Sequence, residues 1–446
     1  MRTRARAPHG RRAVVVGGVR TPFVKAFAEL MKVDTIALGA AAMRGLLERH
    51  PVPRRDIDAV VWSGVILPSI WPNIGREIAL EIGLDPAIEA MTVTRACASS
   101  LQAVTTAAAM IERGEADVVI AGGSDSTSNA EVKLPQKLVH AAAPLMFGKR
   151  TAGDVLGALS QLMPLGQIVP RAPRVVERTT GKLMGEAAED MARRNEISRA
   201  EQDHFALRSH QRAAAAIASG RLAREVVPVA APRSGDDPAE PRWVHSDTLV
   251  RADTSLEKLA RLKPAFARGG GDGTVTAGNS SPLTDGAAAV LLMSEEKASA
   301  LGVVALARVA AWSYVGVDPA DQLLIGPALA MPRVLDEAGR DLGDIDLVDM
   351  HEAFAAQVLS VLKALESGSF ARERLGRARA VGAVDPARLN VRGGSLAFGH
   401  PFAATGARMV TTMAHELRES GKETALLGIC AQGGLGAAAL LENAAS

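Results

Sequence analysis

The sequence predicts an α/β fold made of two copies of one unit packed on each other, with a long excursion inserted into the first copy. Three observations carry this expectation. Short, continuous apolar runs alternate with Ala- and Leu-rich helical patterns, which is how strands buried on both faces read. Stretches of the first half return, in order, in the second. The spacing between matching stretches then changes abruptly, which marks the insertion. Composition agrees, because 48% hydrophobic residues with only 3% aromatics and 42 Gly require cores filled by Ala, Val, Leu and Ile around tight turns. A disordered or coiled-coil chain reads differently.

Residues 1–12 come first and form a basic tail with Arg2, Arg4, Arg6, Arg11 and Arg12. The whole chain has a formal charge of +2, and without the tail 46 basic residues face 49 acidic ones. No electrostatic footprint for nucleic acid remains. The tail lacks the apolar segment of a secretory signal and the Ser-rich amphipathic stretch of a mitochondrial address. The longest apolar stretch, Val155 to Pro170, is broken by Ser, Gln, Gly and Pro, so no membrane span is expected.

The first unit is expected over 13–130 and 272–296, and its second copy over 297–446. Asp56-Ile57-Asp58-Ala59-Val60 returns as Asp344-Ile345-Asp346-Leu347-Val348, an offset of 288 that also matches Met43 with Met331. Val104-Thr105-Thr106 is echoed by Val410-Thr411-Thr412, each in a helix that leads through a Gly turn into an apolar run. Those runs begin at Asp117 and Thr424. Asp285-Gly286-Ala287-Ala288-Ala289 is echoed by Leu435-Gly436-Ala437-Ala438-Ala439, where the offset has fallen to 150. Roughly 140 to 160 residues therefore interrupt the first copy, over about 131–271. Within that insertion, 131–178 is apolar and basic. Lys133, Lys137, Lys149, Arg150, Arg171, Arg174 and Arg178 stand against Glu131, Asp154 and Glu177, a composition suited to a membrane surface, a partner subunit or a simple lid. Residues 186–224 read as Ala- and Arg-rich helices with a solvated charged face, and 232–242 as a surface loop.

Only two cysteines occur, Cys97 and Cys430, 333 positions apart. That count excludes a disulfide scaffold and a multi-cysteine metal site, so no metal is expected, and it suits a reducing compartment. Cys97 lies between an apolar run and a helix of Ala and Val, where helix N–H groups favour the thiolate needed for nucleophilic catalysis. A buried core thiol is the alternative reading of such a residue. The matching junction of the second copy is Gly393-Gly394-Ser395-Leu396-Ala397-Phe398-Gly399-His400-Pro401, which sets His400 on a turn with no helical face to pack. Cys430 ends an apolar run and is followed by Ala431-Gln432-Gly433-Gly434, where ligand and backbone can approach closely. A Cys/His pair implies acyl transfer through a thioester, and the second cysteine implies a proton shuttle. His204, His210, His245 and His415 have no motif around them and are expected on the surface.

The segments around Cys97, His351, His400 and Cys430, with Gly273 to Ala289, resemble those of a thiolase, an acetyl-CoA acyltransferase, from about Ala13 to Glu442. Met350-His351-Glu352-Ala353-Phe354 and the long insertion resemble the β subunit of the fatty-acid oxidation trifunctional enzyme, while many other thiolases have Asn in place of His351. The resemblance implies a duplicated, layered α/β/α/β/α fold and CoA-dependent cleavage of 3-oxoacyl-CoA in fatty-acid β-oxidation. Coenzyme A is then a co-substrate and no cofactor is permanently bound. It implies Cys97 as nucleophile, His400 as its base, Cys430 as acid and base at the substrate α-carbon, and His351 at the enolate oxygen. Backbone N–H groups of Cys97 and Gln432 would hold the tetrahedral oxygen. Met184, Arg251, Ala277 and Ser281 match residues that touch CoA. A homodimer or larger homo-oligomer, a hydratase/dehydrogenase α subunit as partner and a cytoplasmic location complete the expectation. The alternatives are a biosynthetic acetyl-CoA acetyltransferase running the Claisen condensation and a non-catalytic acyl-CoA-binding scaffold. A decarboxylating ketoacyl synthase, with two histidines and one cysteine, is disfavoured by Cys430 and the Gly-His-Pro turn.

Overall fold

The computed structural model describes residues 10–132, 134–147, 151–161, 175–232, 241–267 and 272–445. Arg2, Arg4 and Arg6 of the tail, Lys133, Lys149, Arg150, Arg171 and Arg174 of the basic stretch, residues 162–170 of the apolar stretch and residues 233–240 of the loop lie outside the described residues.

Twelve strands are described: β1 (Ala13–Arg20), β2 (Val24–Lys25), β3 (Ala59–Ser63), β4 (Glu89–Val93), β5 (Val118–Ser126), β6 (Val229–Ala231), β7 (Arg242–Val244), β8 (Thr284–Ser294), β9 (Ala307–Gly316), β10 (Leu347–Met350), β11 (Thr424–Ala431) and β12 (Leu435–Asn443). One continuous sheet runs in the order β10-β11-β12-β9-β1-β8-β5-β3-β4, with β2 appended to β8. The repeat read from the sequence is its symmetry. β3, β5, β8 and β1 of the first copy correspond to β10, β11, β12 and β9 of the second, and β1 meets β9 where the copies join. The twinned aspartates do the same job in each copy. Asp58 Oδ2 accepts the N–H groups of Asp117 and Val118 at 2.7 and 2.9 Å, and Asp346 Oδ2 accepts those of Glu423 and Thr424 at 3.0 and 3.1 Å. A short carboxylate thus satisfies the free donors at the start of a buried strand, where an unpaired N–H would be costly.

All residues of β1, β5, β8 and β11 are buried, as their largely apolar sequences favour. Alternate side chains point into different cores. Val14 and Val60 join a cluster with the helices Thr35–Arg49 and Ile74–Glu81, whereas Val15 and Val61 join a central cluster with the helices Ser99–Glu112 and Thr405–Ser420. In the second copy Leu427 faces that same centre, while Leu426 and Leu440 face the helices Pro327–Ala338 and Ala355–Glu366. The two halves of the sheet therefore enclose the central helices and carry further helices on their outer faces. The two central helices cross at Gly406, whose Cα lies against Leu101 so closely that an added Cβ would stand 2.5 Å from Leu101 N. These are the helices that follow Cys97 and His400.

Of the expected insertion 131–271, residues Ala130–Val176 form a separate compact unit, in which the helices Gln136–Phe147 and Ala152–Gln161 pack on each other. From Glu177 onward the chain belongs to the larger unit. Glu189 accepts the N–H groups of Thr274 and Val275 at 2.9 and 2.8 Å, and Asp247 pairs with the buried Arg20 at 2.6 Å. The helix Arg199–Ala218 accordingly buries Gln202, Asp203, Ser209 and His210, so the solvated face expected for 186–224 is only part of it. His210, expected on the surface, is buried because its Nδ1 accepts the Arg251 N–H at 3.2 Å. Among the described residues no helix is long and apolar enough to cross a membrane.

Candidate active site

Between the end of β4 and the helix Ser99–Glu112, Ala96 adopts a left-handed φ of 46°, unusual for a residue with a Cβ. Ser99 closes this turn, its Oγ accepting the Arg95 N–H at 2.7 Å and donating to Ala96 O at 2.6 Å. The half-buried Cys97 is held at the tip. Its own N–H and that of Gln432 point at the sulfur, yet burial, with the Asp125 charge, pushes the thiol up to about 11. Cys97 is therefore a thiol at neutral pH. Its proton must leave as attack occurs.

His400 stands on the loop that precedes the other central helix. Its N–H donates to Thr284 Oγ1 at 2.9 Å, and its Nδ1 lies 2.6 Å from Thr405 Oγ1. His351 follows β10, with its N–H on Gly428 O at 2.8 Å and its Nδ1 2.9 Å from Ser395 Oγ. Each ring is thereby fixed by a hydroxyl on Nδ1, and each Nε2 is buried without a hydrogen-bond partner among the described residues. The ring centroids are 4.1 Å apart at 45°. Cys97 Sγ and one nitrogen from each imidazole lie within 4.8 Å of one another. Burial first, then the Arg408 charge, pushes His400 down to about 3; burial, His400 and Arg408 push His351 well below the ordinary range. Both rings are neutral and able to accept a proton.

Cys430 lies at the end of β11, fully buried, its thiol pushed well up by burial and by the neighbouring Cys97. The 333-residue separation of the cysteines thus closes to within electrostatic reach. After Cys430 the chain reverses through Gly433 and Gly434 at φ 87° and 67°, and a Cβ on Gly434 would lie 2.2 Å from Val317 O. Gly433 N–H donates to Glu177 at 3.0 Å, which fixes the turn that aims the Gln432 N–H at Cys97.

The scaffold around these groups is polar and buried. Glu352 accepts Ser209 Oγ at 2.6 Å, Asn390 Nδ2 at 2.7 Å and Leu396 N–H at 3.1 Å. It ties the segment bearing Ser395 to the one bearing His351. Asp125 of β5 accepts the Val65, Ile66 and Ala403 N–H groups at 3.0, 2.6 and 2.7 Å, linking the first copy to the His400 loop of the second. Arg408 stands 3.5 Å from Asp349, both buried. Ser395, Thr405, Glu352 and Asp125 carry no motif of their own that marks these roles in the sequence. For Thr405, its place five residues after His400 at the start of a helix was the available signal.

Of the expected CoA contacts, Ser281 is half-buried and its N–H donates to Ala353 O at 2.9 Å, two residues from His351. Leu283, two residues further on, bridges to His400. Ala277 and Arg251 are exposed, and Met184 packs against the outer core of the second copy at the start of its helix. The arrangement can carry out acyl transfer. It has a thiol beside two neutral imidazoles, two N–H groups at the sulfur, and a second thiol within electrostatic reach of the first.

Comparison with known proteins agrees with this chemistry. Residues 13–296 match the model of the thiolase N-terminal domain, and residues 303–443 that of the thiolase C-terminal domain. A 3-ketoacyl-CoA thiolase of Vibrio cholerae is 44% identical over 98% of each chain, and one of Yersinia enterocolitica is 45% identical over 97% of each. An acetyl-CoA acetyltransferase of Bacillus anthracis superposes with a TM-score of 0.83 at 33% identity, covering 97% of this chain and 99% of that one. Human mitochondrial 3-ketoacyl-CoA thiolase in complex with CoA gives 0.80 at 29%, covering 97% and 98%.

Proposed function

This chain belongs to the thiolase family, and we infer that it is an acyltransferase that cleaves 3-oxoacyl-CoA with CoA into acetyl-CoA and an acyl-CoA shortened by one acetyl unit. The single observation that carries the reading is the convergence of the Cys97 thiol with the His351 and His400 nitrogens within 4.8 Å, with Cys430 beside them.

The residues divide the steps as follows. Cys97 Sγ attacks the 3-keto carbon while its proton passes to His400 Nε2, and the carbonyl oxygen becomes an alkoxide facing the N–H groups of Cys97 and Gln432. Collapse of this adduct reforms the carbonyl as a Cys97 thioester and breaks the C2–C3 bond. The electron pair leaves on acetyl-CoA as an enolate, whose oxygen takes a hydrogen bond from protonated His400. His351, whose Nε2 carries no proton, orients a water toward the same oxygen. Cys430 gives its proton to C2. Its thiolate then takes the proton of incoming CoA, whose sulfur attacks the thioester. Cys97 departs as thiolate and recovers its proton from His400. Thr405 and Ser395 keep each Nε2 aimed inward throughout.

Burial of the site supports concerted transfer, because neither a free thiolate nor an imidazolium is stable there before substrate arrives. Met184, Arg251, Ala277 and Ser281 are assigned to CoA, with fatty-acid breakdown as the physiological direction and the cytoplasm as the location. The compact unit at Ala130–Val176 exposes Val139, Met146, Val155 and Leu156. Such a surface supports docking to a hydratase/dehydrogenase subunit or a membrane surface; co-purification and liposome flotation that both come up empty would leave only a lid. A homodimer or larger homo-oligomer belongs to the same reading. The direct test of the chemistry is Cys97→Ala, expected to remain folded, bind CoA and lose thiolysis. Undiminished turnover would refute the covalent scheme.

A further inference from the structure

Two buried imidazole nitrogens and a thiol that share one small volume, with no partner for either nitrogen among the described residues, make a donor set as well as a catalytic one. His351 and His400 are 0% and 5% exposed, and the Nε2 atom of each makes no hydrogen bond to a described residue. Each Nδ1 faces a hydroxyl, Ser395 Oγ at 2.9 Å and Thr405 Oγ1 at 2.6 Å. A proton on Nδ1 is then shared with an oxygen, whereas a proton on Nε2 would be an orphaned buried donor, which proteins avoid. The tautomer that results presents a bare Nε2 lone pair on both rings. It is also the one that metal-binding histidines adopt when an outer hydrogen bond holds the ring.

We propose that Cys97, His351 and His400 form a three-ligand site for a thiophilic divalent cation of the Zn2+ type, and that occupation of this site competes with acylation of Cys97. Tetrahedral zinc with thiolate at about 2.3 Å and imidazole at about 2.0 Å places its ligand atoms roughly 3.3–3.6 Å apart and leaves a fourth position for water. Cys97 Sγ and one nitrogen of each ring already lie within 4.8 Å of one another, so side-chain rotation of about 1 Å completes the geometry. Binding breaks the Cys97 S–H bond and forms S–Zn, and the proton goes to solvent. The charges around the site are mixed. Arg408 repels a cation but is paired with Asp349 at 3.5 Å, and the negative potential of Asp125 reaches Cys97. His351 supplies the third ligand, so a chain with Asn at this position would hold the ion by two. Two cysteines alone cannot form a multi-cysteine site, but one cysteine with two histidines supplies a mixed donor set that the cysteine count does not register.

The experiment uses the full-length chain, stripped with a chelator and titrated with ZnCl2 against a chromophoric competitor, with CoCl2 as the spectroscopic probe. One tight equivalent is expected, with one proton released per ion, a thiolate-to-Co2+ absorption band, and protection of Cys97 from iodoacetamide. Protein acylated beforehand at Cys97 should lose that equivalent. His351→Asn should weaken binding by at least about tenfold, since loss of an outer-shell partner alone costs about 10- to 100-fold, and Cys97→Ala should abolish the band. Because the readout is binding, it stands or falls separately from thiolysis. Alkylation protection in the unmodified chain needs no variant to fold. Zinc retained equally by Cys97→Ala and His351→Asn, no retained zinc, or unchanged alkylation of Cys97 at one bound equivalent would each overturn the proposal.

Discussion

Replacing Gly406 by Ala adds one methyl group where the central helices of the two copies touch. The new Cβ would stand 2.5 Å from Leu101 N and 2.9 Å from Leu101 Cβ, and backbone cannot swing aside as a flexible side chain can. Ordinary contact requires the helices to part by about 1 Å, an overpacking that costs about 1–3 kcal/mol and lowers Tm by a few degrees. Function should suffer more than stability does. Cys97 lies just before the helix that begins at Ser99, and His400 just before the one that begins at Thr405. Parting the helices therefore moves nucleophile and base relative to each other. A misplacement of about 1 Å costs on the order of 100-fold in rate. Thiolysis kinetics on 3-oxoacyl-CoA with a thermal melt of the same sample provide the assay. Gly343→Ala is the control, because its added Cβ meets nothing within 4 Å, and it should leave both readings unchanged. Unaltered kcat/KM and Tm in Gly406→Ala would refute the argument that this crossing sets the catalytic distance.

Thr405→Val removes the hydroxyl on His400 Nδ1 and should lower kcat by about 100-fold with little change in KM, while Thr405→Ser restores it; equal kcat across the series would count against an orienting role. Cys97, with its thiol raised to about 11, is on the order of one part in ten thousand thiolate at pH 7. Iodoacetamide alkylation of the substrate-free chain should therefore quicken about tenfold per pH unit from 7 to 10, and levelling near the ordinary thiol value of about 8.5 would contradict the burial argument. Cys430→Ala should still accept an acyl group on Cys97 from a simple acyl-CoA while cleaving 3-oxoacyl-CoA more slowly, as mass spectrometry and turnover together would reveal.

The duplicated framework was legible because each copy must satisfy the same strand-start donors. Asp58 and Asp346 therefore recur with their apolar runs, and the alignment of those runs located Cys97, His400 and Cys430 at strand and helix ends. What escaped the sequence were pairings between distant polar groups. Asp203 and His210 look like solvated helix residues in isolation, yet Asn279 and the Arg251 backbone cover them. Composition records a residue's polarity and not its partner. The same limit hid Glu352 and Asp125, whose roles depend on backbone N–H groups brought in from elsewhere in the chain. The bend at Ala96 escaped as well, because a left-handed φ is foreseen from glycine and here falls on alanine.

The division of labour between the cysteines is tested most directly by exposing the protein to 3-oxoacyl-CoA without free CoA and locating the adduct by peptide mass spectrometry. The account predicts one acyl group, shortened by an acetyl unit, in thioester linkage to Cys97, with Cys430 unmodified and release of the group on adding CoA. An adduct on Cys430, or turnover with Cys97 never acylated, would contradict it.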